Sequence, residues 1–94
     1  MPEVLPAEVV DAALAERGLR WQRDGDELVK RVKRRGFSGA LDYVNQVGAL
    51  AEAADHHPDI DIRWGTVTLR LSTHSAGGLT ERDLALAAAL DALD

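Results

Sequence analysis

The chain has 94 residues, no cysteine, and 16 acidic against 11 basic side chains, for a formal net charge of −5. That length suits a single domain, 1–94, burying roughly 60 to 65% of the surface of its unfolded chain, and the charge weighs against direct nucleic-acid binding, which depends on neutralising phosphates. Disulfides, thiolate metal sites and a cysteine nucleophile are excluded, and with neither a run of about 18 apolar residues nor a secretory start the expectation is a cytoplasmic protein with no membrane contact.

Ala7 to Glu16 carries Val9, Val10, Ala13 and Leu14 at helical spacing, with Gly18 where a helix would stop, so the first element is a short helix. Leu19 to Arg23 and Glu27 to Lys33 flank Asp24-Gly25-Asp26, which predicts a hairpin. The basic cluster Lys30, Arg31, Lys33, Arg34 and Arg35 lies in and after its second strand and is expected to form a solvated edge that resists edge-to-edge pairing. From Ser38 to about Asp55, apolar residues from Ala40 to Ala54 recur at intervals of three and four, predicting a long helix with Ser38 as N-cap. It should end before Pro58, because a residue preceding proline is pushed out of the helical region.

Asp59 to Trp64 alternates polar and apolar, as does Thr66 to His74 over most of its length, predicting two strands that meet near Gly65. If the second stays extended, His74 shares a face with Thr66, Thr68, Arg70 and Ser72, away from Val67, Leu69 and Leu71. Ser75 to Leu79 reads as a loop, and Thr80-Glu81-Arg82-Asp83 has the form of a capping box opening a last helix. Alanines fill the gaps between Leu84, Leu86, Leu90 and Leu93, which predicts burial on more than one side, with a second subunit as a candidate cover. The sum is α-β-β-α-β-β-α, an α+β domain with a four-stranded antiparallel sheet and helices packed on one face, leaving the other open to a ligand or partner.

All three histidines, His56, His57 and His74, fall near two neighbouring element ends. Four readings of them stay open on the residues alone. They can be structural, capping carbonyls or pairing with Asp55 and Asp59. Three imidazoles can hold zinc, although adjacent histidines at a helix end diverge and no His-x-x-x-His pair occurs. They can serve general acid–base chemistry near neutral pH, with Asp55 or Asp83 favouring and orienting the imidazolium. Nucleophilic catalysis is the fourth, with no G-x-S-x-G elbow to support it and Ser72 and Ser75 near His74 only in sequence.

Glu52 is followed after three residues by His56-His57-Pro58, Trp64 comes after five more, His74 after a further nine, and Asp83 lies beyond. This pattern, with Leu71 to Asp83 reading LSTHSAGGLTERD, resembles the pterin-4a-carbinolamine dehydratase family, also known as the dimerisation cofactor of a homeodomain transcription factor. The resemblance spans essentially the whole chain. It implies an enzyme that removes water from 4a-hydroxytetrahydropterin to give quinonoid dihydropterin, with no cofactor and no metal, in the recycling of the tetrahydropterin used by aromatic amino-acid hydroxylases. It implies His56, His57, His74 and Asp83 as the catalytic group, with Glu52, Asp55, Pro58, Trp64, Ser72 and Thr73 against the pterin, in a homodimer or homotetramer. On this reading His56 and His74 lie on opposite faces of the pterin ring, each serving one epimer at C4a.

Each role has a plainer counterpart. Asp83 can hold the last helix as a capping acid, Trp64 can be a core residue of its strand, and Glu52 can be a solvated helix residue. Ile60 stands where many members carry an aromatic and Gly65 where asparagine is common, departures that bear on pocket shape. A non-catalytic binding or assembly module on the same fold is the alternative function. The retention of all three histidines and the acid favours the enzyme.

Overall fold

Val67, Leu69 and Leu71 alternate along the chain with Thr66, Thr68 and Arg70, and this alternation separates an apolar from a polar sheet face. In the computed structural model, which describes residues 3–94, the elements are α1 (Ala7–Glu16), β1 (Gln22–Asp24), β2 (Glu27–Lys33), α2 (Gly36–Ala54), β3 (Asp59–Arg63), β4 (Thr66–Leu71) and α3 (Glu81–Asp91). The strands form one antiparallel sheet in the order β1-β2-β4-β3. This is the expected α-β-β-α-β-β-α order and α+β class.

Register carries the alternation across the sheet. Leu28, Lys30 and Val32 stand opposite Leu71, Leu69 and Val67, while Ile60 and Ile62 stand opposite Leu69 and Val67 from the other side. Onto this inner face pack Val10 and Ala13 of α1, Ala40, Tyr43 and Val47 of α2, and Leu84, Ala87 and Leu90 of α3, all buried. The outer face carries Arg31, Asp61, Arg63, Thr66, Thr68 and Arg70 around an open trough. Among the described residues no helix is long and apolar enough to cross a membrane.

Four local expectations are corrected. The basic cluster does not lie on an edge: Arg31, Lys33 and Arg35 are exposed, but β2 is an internal strand, and Lys30, on the same face as Leu28 and Val32, is buried and paired with Asp91 and Asp94. Ser38 is not the N-cap, because α2 starts at Gly36, with extended Arg35 at the cap position and no side-chain cap bond. The earlier start follows from the close approach of the β3–β4 turn, where Arg34 N donates to the Gly65 carbonyl at 2.7 Å and Gly36, at φ 67°, redirects the chain.

Trp64 is not a core residue. It occupies the β3–β4 turn at φ 54° and is 76% exposed. Nor does the strand reach His74, because β4 ends at Leu71 and Thr73 pairs in an isolated bridge with Gly78. The Thr73 carbonyl accepts from Ala76 N and Gly77 N, so His74 stands in a tight turn rather than on a sheet face.

Candidate active site

The end of α2 explains how a histidine comes to be buried beside an exposed one. Asp55 is left-handed (φ 49°, ψ 44°), Asp55 N donates to the Glu52 carbonyl at 3.2 Å, and His56 N donates to the Ala51 carbonyl at 3.1 Å. These two bonds are those of a Schellman turn with aspartate in the position glycine usually takes. The turn folds His56 back over the helix end and leaves His57 outside, and Pro58 then opens the extended run into β3.

On the facing side, the start of α3 supplies a carboxylate. Thr80 is the N-cap, its Oγ1 accepting from Arg82 N, while Asp83 Oδ2 accepts from Thr80 N at 2.9 Å to complete the capping box. The same Oδ2 accepts from the Thr73 hydroxyl at 2.7 Å, and Oδ1 lies 2.6 Å from His56 Nε2. Asp83 and Thr80 are fully buried, Thr73 is 2% and His56 8% exposed. One carboxylate thus ties together the end of α2, the segment after β4 and the first turn of α3. Capping and histidine pairing coexist in the same side chain.

The remaining candidates fall into three places. His57 is exposed, with Nε2 3.4 Å from Oε1 of exposed Glu52 one turn back on α2. His74 is exposed and follows Thr73 directly, so it stands one residue from the Asp83 network; Ser72, which precedes Thr73, and Pro58, which follows His57, are half-buried. Thr73, expected against the pterin, gives its hydroxyl to Asp83. Asp55 is exposed and contributes its backbone carbonyl, which accepts from Arg82 Nη2 at 2.6 Å, so of the two acids considered for His56 the partner is Asp83. Trp64 is not gathered here: the whole of β3, roughly 17 Å long, separates it from the histidines.

Two contributors escaped the sequence reading. Thr80, read only as a cap, is also hydrogen-bonded to Thr73 at 2.8 Å between hydroxyls. A groove of about 370 Å³ runs between α2 and α3, with His56 in its lining beside Leu50, Ala53, Arg82 and Ala85. The capping-box motif was the available signal for Thr80. The groove had none, because it depends on which faces of two distant helices meet. Among the described residues, no three His, Cys, Asp or Glu side chains are grouped as a metal site requires.

The α+β domain thus holds a buried imidazole against a buried carboxylate at the end of a helix, with His57 and His74 exposed on the two adjoining segments. Residues 3–93 match the family described as Pterin 4 alpha carbinolamine dehydratase. The chain belongs to that family, whose namesake enzyme is a hydro-lyase. A Nocardia farcinica protein bearing the pterin-4-alpha-carbinolamine dehydratase name is 50% identical over 91 residues, 97% of this chain and 95% of its own length. In structure, a Brucella melitensis protein described as a transcriptional coactivator/pterin dehydratase is similar with a TM-score of 0.86 at 31% identity, over 97% of this chain and 98% of the other. A pterin dehydratase-like protein identified as a RuBisCO assembly factor in the alpha-carboxysome is similar with a TM-score of 0.62 at 28% identity, over 80% and 87% of the two chains.

Proposed function

We propose that this protein dehydrates 4a-hydroxytetrahydropterin to quinonoid dihydropterin, with His56, His57 and His74 as the proton-transfer group. The observation that carries the reading is the Asp83 carboxylate, bonded to both His56 and Thr73, which draws the two histidine-bearing segments together. Expulsion of hydroxide from C4a is slow unless the leaving oxygen is protonated as the C–O bond breaks. An imidazolium gives that proton, the oxygen leaves as water, and a neutral imidazole takes a ring N–H proton to complete the quinonoid system. One proton enters and one leaves, with no change in redox state.

A positioned proton donor contributes about 10²- to 10⁴-fold. His56 is oriented by Asp83, while His57 and His74 stand exposed where a ligand can meet them. Glu52 orients His57, and Pro58 and Ser72 border the same region. His56 and His74 act from opposite faces of the ring, each on one epimer at C4a. The protein works as a homodimer or homotetramer, a reading supported by exposed Phe37, Leu41 and Trp64.

The test is the decay of freshly generated 4a-hydroxytetrahydropterin, followed by absorbance, with wild type and with a variant carrying both His56→Ala and His74→Ala. Strong acceleration by the wild type, lost in the double variant, is the expected result; single variants should each slow one epimer more than the other. No acceleration by a folded wild type would sink the dehydratase. That outcome would favour the second reading, a binding or assembly module, to which the similarity with the assembly factor lends support.

A further inference from the structure

We propose that Thr73 is a positioning residue for His56: together with Thr80 it fixes the imidazole proton on Nε2 and leaves Nδ1 as the atom that exchanges a proton with a ligand. This role rests on the proposed dehydration, in which His56 transfers a proton.

The directions of four hydrogen bonds carry the assignment. Arg82 N donates to Thr80 Oγ1, so that oxygen is already an acceptor. Thr73 has one hydroxyl proton, and it goes to Asp83 Oδ2 at 2.7 Å, because a carboxylate only accepts. The 2.8 Å bond between the two threonine hydroxyls therefore runs from Thr80 to Thr73. Oδ2 receives Thr80 N–H as well, at 2.9 Å, so two donors on one oxygen fix the orientation of the carboxylate. Oδ1 is left as an acceptor facing His56 Nε2 at 2.6 Å, so Nε2 carries the proton in the neutral ring.

The other nitrogen has a different environment. Among the described residues Nδ1 has no hydrogen-bond partner, yet the one fully buried side-chain polar atom without a partner is the Tyr43 hydroxyl. Nδ1 is therefore not sealed in, and it is the ring atom through which a proton can pass outward. Removing the Thr73 hydroxyl takes away one of the two donors that fix the Asp83 carboxylate and strands the Thr80 proton, so the carboxylate is free to turn, Oδ1 no longer faces Nε2 in a fixed geometry, and the preference for the Nε2–H tautomer weakens.

Long-range proton–nitrogen NMR on protein labelled with ¹⁵N-histidine, at a pH where the imidazoles are neutral, reads the tautomer directly. The His56 signals are those absent from His56→Gln. Wild type and Thr73→Ser should show the protonated shift at Nε2 and the unprotonated shift at Nδ1. In Thr73→Val both shifts should move toward the tautomer average, and kcat should fall about 10-fold or more with little change in KM, a part of the roughly 10²- to 10⁴-fold that a positioned proton-transfer group contributes. Thr73→Ser should recover most of that loss. A wild type protonated on Nδ1, or a Thr73→Val protein with the wild-type pattern and kcat, would overturn the assignment. The wild-type spectrum decides it even if Thr73→Val does not fold. An Nε2–H pattern in a protein that leaves the pterin decay unaccelerated supports the tautomer and overturns only the dehydratase.

Discussion

Asp83 does two jobs that mutagenesis can separate. As an acceptor for Thr80 N it holds the first turn of α3; as an acceptor for His56 and Thr73 it orients an imidazole. Asp83→Asn keeps the shape but turns one acceptor oxygen into a donor, so one of the three buried donors faces another donor. An unmade buried hydrogen bond costs about 1–3 kcal/mol, whereas loss of an ordinary cap costs about 1 kcal/mol. Asp83→Asn should therefore destabilise the fold by about 1–3 kcal/mol in urea unfolding and lower kcat for the pterin decay by at least about 10-fold. A variant that lost stability while keeping kcat would leave Asp83 with the capping role alone.

At the scale of elements, the site exists because α2 ends where it does. The Schellman turn at Asp55 buries His56, and it does so with a residue that tolerates the left-handed region less well than glycine. Asp55→Gly should raise stability by up to about 1 kcal/mol, because glycine avoids the cost that a Cβ carries in the left-handed region, while leaving the two turn bonds to the Ala51 and Glu52 carbonyls in place. A fall in stability would mean that the Asp55 side chain holds the turn by contacts of its own. The strand and helix periods made this part of the fold legible: helix, His-His-Pro, then an alternating strand could be read in order. What was not legible is set by contacts beyond a single element. His74 belongs to a turn closed by a bond between Thr73 N and the Gly78 carbonyl, and no alternation pattern announces that closure. Trp64 reads as the last member of an alternating strand, but Gly65 turns the hairpin so close to Arg34 that a Cβ there would sit 2.5 Å from its carbonyl oxygen, and Trp64 is carried outward with the turn.

Across the whole molecule, the least legible residue was Lys30, whose burial depends on β2 lying between β1 and β4 and whose partners Asp91 and Asp94 lie more than sixty residues away. Asp91 also accepts from Trp21 Nε1 and Arg20 N, so this cluster ties the end of α3 to the sheet, far from Asp83 at its start. The cluster gives stability a pH dependence of definite sign. Burial alone would raise the Asp94 carboxyl, but hydrogen bonds from Lys30 and Arg20, with their charges, outweigh it and hold the group below the usual carboxylate range. A carboxyl depressed in the folded state contributes stability that is complete above its ordinary unfolded value, near 4, and is lost as pH falls through the folded value. Asp11 is depressed in the same direction by its hydrogen bond from Arg23, but that pair is exposed and salt screens it. Urea midpoints measured from neutral pH down to about pH 2.5 should therefore fall most steeply below about pH 4, where these two carboxyls protonate in the unfolded chain first. In Asp94→Asn the midpoint should be lower at neutral pH and the acid slope shallower. The difference in slope between wild type and Asp94→Asn should persist in about 0.5 M salt, because the Lys30 side of the pair is buried. An acid slope unchanged by Asp94→Asn would show that the cluster fixes the end of α3 by geometry and not by charge.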